Sequence, residues 1–110
     1  MNSPDALFGL SERAVNLLIA LFAAEPLIQK VVIYGSRAKG NYREGSDIDI
    51  SLDAPNLDAA TFSRLCTAAD DLLLPWQLDI SLLHQIDNPE LLSHIARVGK
   101  VLWQNPHPLN

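Results

Sequence analysis

IYGSRAKGNYREGSDIDISLD, residues 33–53, gathers three basic side chains, three glycines and three aspartates into one short segment. Its upstream edge is KVVIY, residues 30–34, a short and nearly continuous apolar run of the kind that forms a central strand covered on both faces. Its downstream edge, DIDISLD, alternates without a break. Asp47, Asp49, Ser51 and Asp53 share one face of a strand, and Ile48, Ile50 and Leu52 share the other. A buried strand therefore enters Gly35-Ser36, and a half-buried strand leaves with two carboxylates two residues apart.

Asp-x-Asp by itself carries no information, because shuffling nine aspartates among 110 residues yields about 0.7 such pairs by chance. Gly-Ser followed after ten residues by Asp-x-Asp arises only roughly once in five hundred shuffled chains, which disfavours a plain hairpin with a solvated face. The chemistry is specific. Side chains at i and i+2 of a strand lie about 6.6 Å apart at Cα, close enough to lean onto one Mg²⁺ or onto two ions about 3.5–4 Å apart. Magnesium takes hard oxygen ligands, commonly one or two carboxylates completed by water and substrate phosphates. Gly35 allows close backbone approach, and Ser36 with the amides after it can donate to phosphate oxygens at the start of a short helical turn. Lys39 and Arg43 can neutralise charge on a departing pyrophosphate. Arg37 can join them, or pair with Glu44.

Outward from this segment the chain reads as alternating helices and strands. Ser11 caps a helix with Val15, Leu18, Ile19 and Phe22 on one stripe, ended by Pro26. Asp58 caps a second helix, whose buried stripe runs through Phe62, Leu65, Cys66, Ala69, Leu72 and Leu73. After Pro75, WQLDISLL is a third strand with Asp79 on its polar face. Asn88-Pro89 starts a last helix, Gly99 ends it, and KVLW adds a small strand. The fold class is α/β (α+β), a small mixed β-sheet covered by helices. One domain is expected over residues 1–105, with a loose tail over 106–110.

The bulk numbers limit the functions. A 48% apolar content says globular, and a net charge of −5 argues against a general nucleic-acid binder. Within that acidic chain, three of the eight basic residues fall in the seven positions from Arg37 to Arg43, a patch suited to a small anion. One cysteine excludes an internal disulfide. No signal-peptide pattern and no membrane-length apolar run are present, so the expected compartment is the cytoplasm. His84, His94 and His107 lack metal-ligand spacing and are assigned no chemistry. Trp76 and Trp103 are expected to be packing anchors.

The set YGSRAKG, Asp47-Ile-Asp49 and the later LDI resembles the DNA polymerase β-like nucleotidyltransferase superfamily, and within it the minimal nucleotidyltransferase (MNT) branch. The resemblance implies a polymerase β-like core, with Asp47 and Asp49 as ligands of both Mg²⁺ ions. It makes Asp79 a third metal ligand that helps deprotonate the attacking hydroxyl, and gives the triphosphate to Gly35, Ser36, Arg37, Lys39 and Arg43. The implied reaction transfers a nucleoside monophosphate, AMP from ATP, to a hydroxyl. The implied partner is a HEPN-domain toxin whose tyrosine is the acceptor, with this chain as antitoxin. A transferase for a small hydroxylated molecule, or a non-catalytic nucleotide- or toxin-binding module, are the alternatives.

Overall fold

The computed structural model describes residues 8–107. Their order is α1 (Glu12–Ala23), β1 (Lys30–Tyr34), α2 (Gly35–Lys39), β2 (Ile48–Asp53), α3 (Ala59–Asp70), β3 (Leu78–Leu82), a 3-10 turn (Leu83–Gln85), α4 (Pro89–Val98) and β4 (Lys100–Gln104). The four strands form one mixed sheet in the order β3-β2-β1-β4. β1 is antiparallel to both neighbours, while β2 and β3 run parallel.

Helix starts follow from side-chain caps. Ser11 Oγ accepts from the Ala14 amide at 3.1 Å, and Asp58 Oδ1 accepts from Thr61 at 2.8 Å. Asn88 Oδ1 takes the amides of Glu90 and Leu91, with Pro89 at the first position, where its missing N–H costs nothing. At the far end of α4, a side chain at Gly99 would strike the Ile95 carbonyl and Val32, so only glycine lets helix and sheet meet so closely there.

The two faces of the sheet are covered unequally. Ile48, Ile50 and Leu52 of β2 and Val31 and Ile33 of β1 are all 0% exposed, packed with Leu18 and Phe22 of α1 and Leu65 of α3. That layer supplies the bulk of the hydrophobic stabilisation, at roughly 1.5–3 kcal/mol for each fully buried aliphatic side chain. The opposite face presents Tyr34, Val32, Asp49, Ser51, Asp79 and Ser81. Among the described residues α4 lies across it, through Ile95 and the Gly99–Val32 contact, with Leu83 of the 3-10 turn beside them. Among the described residues no helix is long and apolar enough to cross a membrane.

Several boundaries differ from the sequence reading. α3 ends at Asp70, so Leu72 and Leu73, expected on its buried stripe, lie past the helix; Leu73 takes φ +55° and is 86% exposed. β3 starts at Leu78 rather than at Trp76. β2 begins at Ile48, so Asp47 stands just ahead of the strand rather than in it, and the Ile48 amide donates to the Gln77 carbonyl at 2.9 Å. β3 ends at Leu82 because Leu83 turns into the 3-10 segment.

Candidate active site

Strand register brings the carboxylates together. Asp49 is the direct partner of Tyr34 on β1 and of Asp79 on β3, so Asp49 and Asp79 are side by side on one face with Asp47 at its edge. Asp47 and Asp79 are exposed and Asp49 is partly buried. Burial pushes the Asp49 carboxyl above its usual range, the negative charges of Asp79 and then Asp47 push it further, and His94 pulls it back.

The Gly35-Ser36 turn lies directly against this group. Gly35 takes φ +72°, in the left-handed region, and a Cβ there would collide with Asp49 Oδ2. Glycine is required twice, once for the backbone angle and once for space. Ser36 follows in the first turn of α2, and Gly40 closes that helix at φ +87°, its amide donating to the Ser36 carbonyl at 2.9 Å. Lys39 and Arg43 are exposed beyond it.

Arg37 departs from the expectation. It is only 2% exposed, and its terminal nitrogens donate to the carbonyls of Phe8, Gly9, Glu44 and Ser46. Its terminal donors are taken by the main chain and Nε is buried, so it presents nothing to a phosphate; Glu44 meets it through its backbone carbonyl rather than its carboxylate. Trp76 does act as an anchor, its indole donating to the Glu44 carbonyl at 3.2 Å.

Three residues passed over in the sequence belong to the site. His94 of α4 accepts the Gly35 N–H on Nε2 at 3.1 Å and so ties α4 to the glycine turn. Its ring meets Tyr34 edge-on, with centroids 6.1 Å apart. Burial raises the Tyr34 phenol above its usual range, as do Asp49 and Asp79, while a hydrogen bond with Ser81 works against them. His94 left no trace in spacing, because its partner is 59 residues away. Ser81 was legible only as a residue sharing the parity of Asp79, and Tyr34 only as the last residue of the apolar run that enters Gly35.

The donor chemistry suits a hard divalent cation: two carboxylates side by side on one face and a third at its edge, with Asp49 held in a field that penalises its charge. The side chains stand apart, since no three His, Cys, Asp or Glu residues among the described ones close on a common point. Asp47, Asp49 and Asp79 are the residues that would hold Mg²⁺, which would supply neutralisation of phosphate charge and a more acidic acceptor hydroxyl.

A mixed sheet with paired carboxylates facing a Gly-Ser turn defines a nucleotidyl-transfer architecture. The chain belongs to the nucleotidyltransferase family described as "Polymerase beta, Nucleotidyltransferase", whose family model matches residues 16–107. No curated protein matches it significantly. Among solved structures, a toxin–antitoxin complex with AMP-PNP is 26% identical with a TM-score of 0.65, covering 88% of this chain and 76% of that one. The MntA–HepT toxin–antitoxin is 24% identical at TM-score 0.63, covering 86% and 74%. A complex of tri-AMPylated Shewanella oneidensis HEPN toxin with MNT antitoxin is also 24% identical at 0.63, covering 86% and 72%. The last two likenesses establish the fold.

Proposed function

We propose that this chain is an MNT-type antitoxin that transfers AMP from ATP to a tyrosine hydroxyl of a HEPN-domain toxin, using Mg²⁺. The observation that carries the proposal is the register that sets Asp49 beside Asp79 while Gly35 abuts Asp49. The likeness to a toxin–antitoxin complex holding AMP-PNP supports both the adenine nucleotide and the partner. Ser36 holds the triphosphate in the turn that Gly35 makes possible, and Lys39 and Arg43 offset charge on the leaving pyrophosphate. Asp47 and Asp49 would hold the Mg²⁺, which would supply neutralisation of the phosphate charge, and Asp79 takes the proton from the acceptor hydroxyl. His94 and Tyr34 hold the glycine turn against the carboxylates. Arg37 has no part in nucleotide binding in this scheme.

The test is incubation with the cognate HEPN protein, ATP and Mg²⁺, followed by intact mass measurement. Each transferred AMP adds about 329 Da once in-line attack has released pyrophosphate. A stable complex with no mass gain on the partner would replace this reading with that of a non-catalytic binding module. Neither binding nor gain would favour a small hydroxylated acceptor.

A further inference from the structure

Arg37 is a buried cation whose partners among the described residues are main-chain carbonyls and aromatic rings. One terminal nitrogen reaches the Phe8 and Gly9 carbonyls at 3.1 and 3.5 Å, and the other reaches Glu44 and Ser46 at 3.1 and 3.0 Å. The guanidinium carbon lies 4.6 Å from the Tyr42 ring centroid and 5.5 Å from that of Trp76. Trp76 also donates to the Glu44 carbonyl, so ring and cation grip the same point of the chain. Nε alone is buried without an acceptor. Burying a charge without a counter-charge is costly, and only a planar fork can distribute it over four carbonyls at once.

The connections made by this cluster follow the chemistry. Arg37 is the neighbour of Ser36, the residue given the triphosphate. Ser46, which accepts from Arg37, is the neighbour of Asp47. Trp76 leads into β3 two residues before it starts and three before Asp79. The 40–46 loop between them holds few bonds of its own, chiefly the Arg43 amide to Ser46 Oγ at 2.8 Å and the Ser46 amide to the Arg43 carbonyl at 3.0 Å.

We infer that Arg37 is a positioning residue for nucleotidyl transfer: with Tyr42 and Trp76 it clamps the 40–46 loop and so fixes Asp47 relative to Ser36 and Asp79. The inference rests on the function proposed above. It assigns Arg37 the opposite role to a phosphate ligand, and the two make different kinetic predictions. A misplacement of about 1 Å at a reacting group costs on the order of 100-fold in rate, whereas loss of a phosphate ligand whose binding is uniform raises KM.

The experiment uses the full chain with Trp103→Phe as background, so that tryptophan emission reports Trp76. Arg37→Lys keeps the charge but loses the fork. It should lower kcat for AMP transfer about 30-fold while KM for ATP changes by less than about threefold. Trp76 emission should shift to the red, and the amides of residues 41–46 should exchange faster with solvent than those of β1 and β2. In Arg37→Ala, added methylguanidinium should restore part of the rate and of the emission. Trp76→Phe, which keeps an aromatic ring but loses the bond to Glu44 and part of the contact with Arg37, should lower kcat severalfold with the fold intact; it keeps the inference testable if the Arg37 variants do not fold. A tenfold rise in KM for ATP at unchanged kcat would overturn the inference in favour of a phosphate ligand. A lowered melting temperature with unchanged kcat and unchanged loop exchange would reduce Arg37 to a stability residue. If the wild type transfers nothing to any acceptor, the proposed function fails separately. Emission and exchange then decide whether the clamp exists: unchanged values in Arg37→Lys would refute it.

Discussion

The two faces of β2 do opposite things, one buried against helices and the other open to the carboxylate site. Ile48, Ile50 and Leu52 are fully buried against α1 and α3, whereas Asp49 and Asp79, one and the same strand pairing away, look toward solvent, His94 and Tyr34. Strand parity makes this possible: successive residues belong to different environments, so within β2 the core residues Ile48, Ile50 and Leu52 and the carboxylate of Asp49 alternate without sharing a face. The apolar face is dense and uncharged. The other carries clustered like charges that no purely structural surface would favour.

The most damaging way to break the contrast is to put charge on the dry face. Ile50→Asp should abolish cooperative folding, because an unpaired carboxylate there has neither water nor a partner; a normal melting transition by circular dichroism would contradict the assignment of the core. Charge removal on the wet face should instead leave the fold and remove the reaction. Asp79→Asn is expected to lower AMP transfer by about 100-fold or more while preserving association with the partner, measured by intact mass and by co-elution. Asn88→Ala acts between the faces. It removes the cap of α4, the helix that carries His94, and should cost about 1 kcal/mol in denaturant melts. A loss in transfer larger than that stability change explains would sharpen the link from α4 to Gly35.

The smallest effect is a pH dependence of the metal-free protein. A carboxyl whose native pKa is raised binds protons more readily folded than unfolded. Its contribution to stability is therefore greatest at acid pH and declines as pH rises from the ordinary carboxylate range through the raised value of Asp49. In chelator, Asp49→Asn should gain roughly 0.5–1 kcal/mol over wild type at neutral pH, a figure kept low because the face is open to solvent. That gap should close as pH falls. A gap that widens toward acid would mean that ionised Asp49 is stabilised by the fold.

The sheet and helices were legible because their signals are local. Alternation in DIDISLD, the caps Ser11, Asp58 and Asn88, and the break at Pro26 each act within a few residues, and the observed elements follow them closely, while α3 stops at Asp70, short of Pro75. Pairing was not local. That Asp79 stands beside Asp49 depends on a parallel β2–β3 register, which polar-face parity alone left open. His94 and Arg37 failed for the same reason in opposite directions. A lone histidine on a helix gave no sign that Gly35 was its partner. A basic residue beside Gly-Ser looked like a phosphate ligand until its four carbonyls were in place.

In the proposed function, Asp49 serves chemistry rather than the fold. The direct measurement is AMP transfer by Asp49→Asn to the HEPN partner in Mg²⁺, taken together with the melting temperature of the same protein in chelator. The expected result is transfer reduced about 1000-fold or below detection, consistent with loss of a central metal ligand, and a melting temperature equal to or above that of wild type. Transfer at the wild-type level together with a lowered melting temperature would contradict it, and would make Asp49 a structural acceptor.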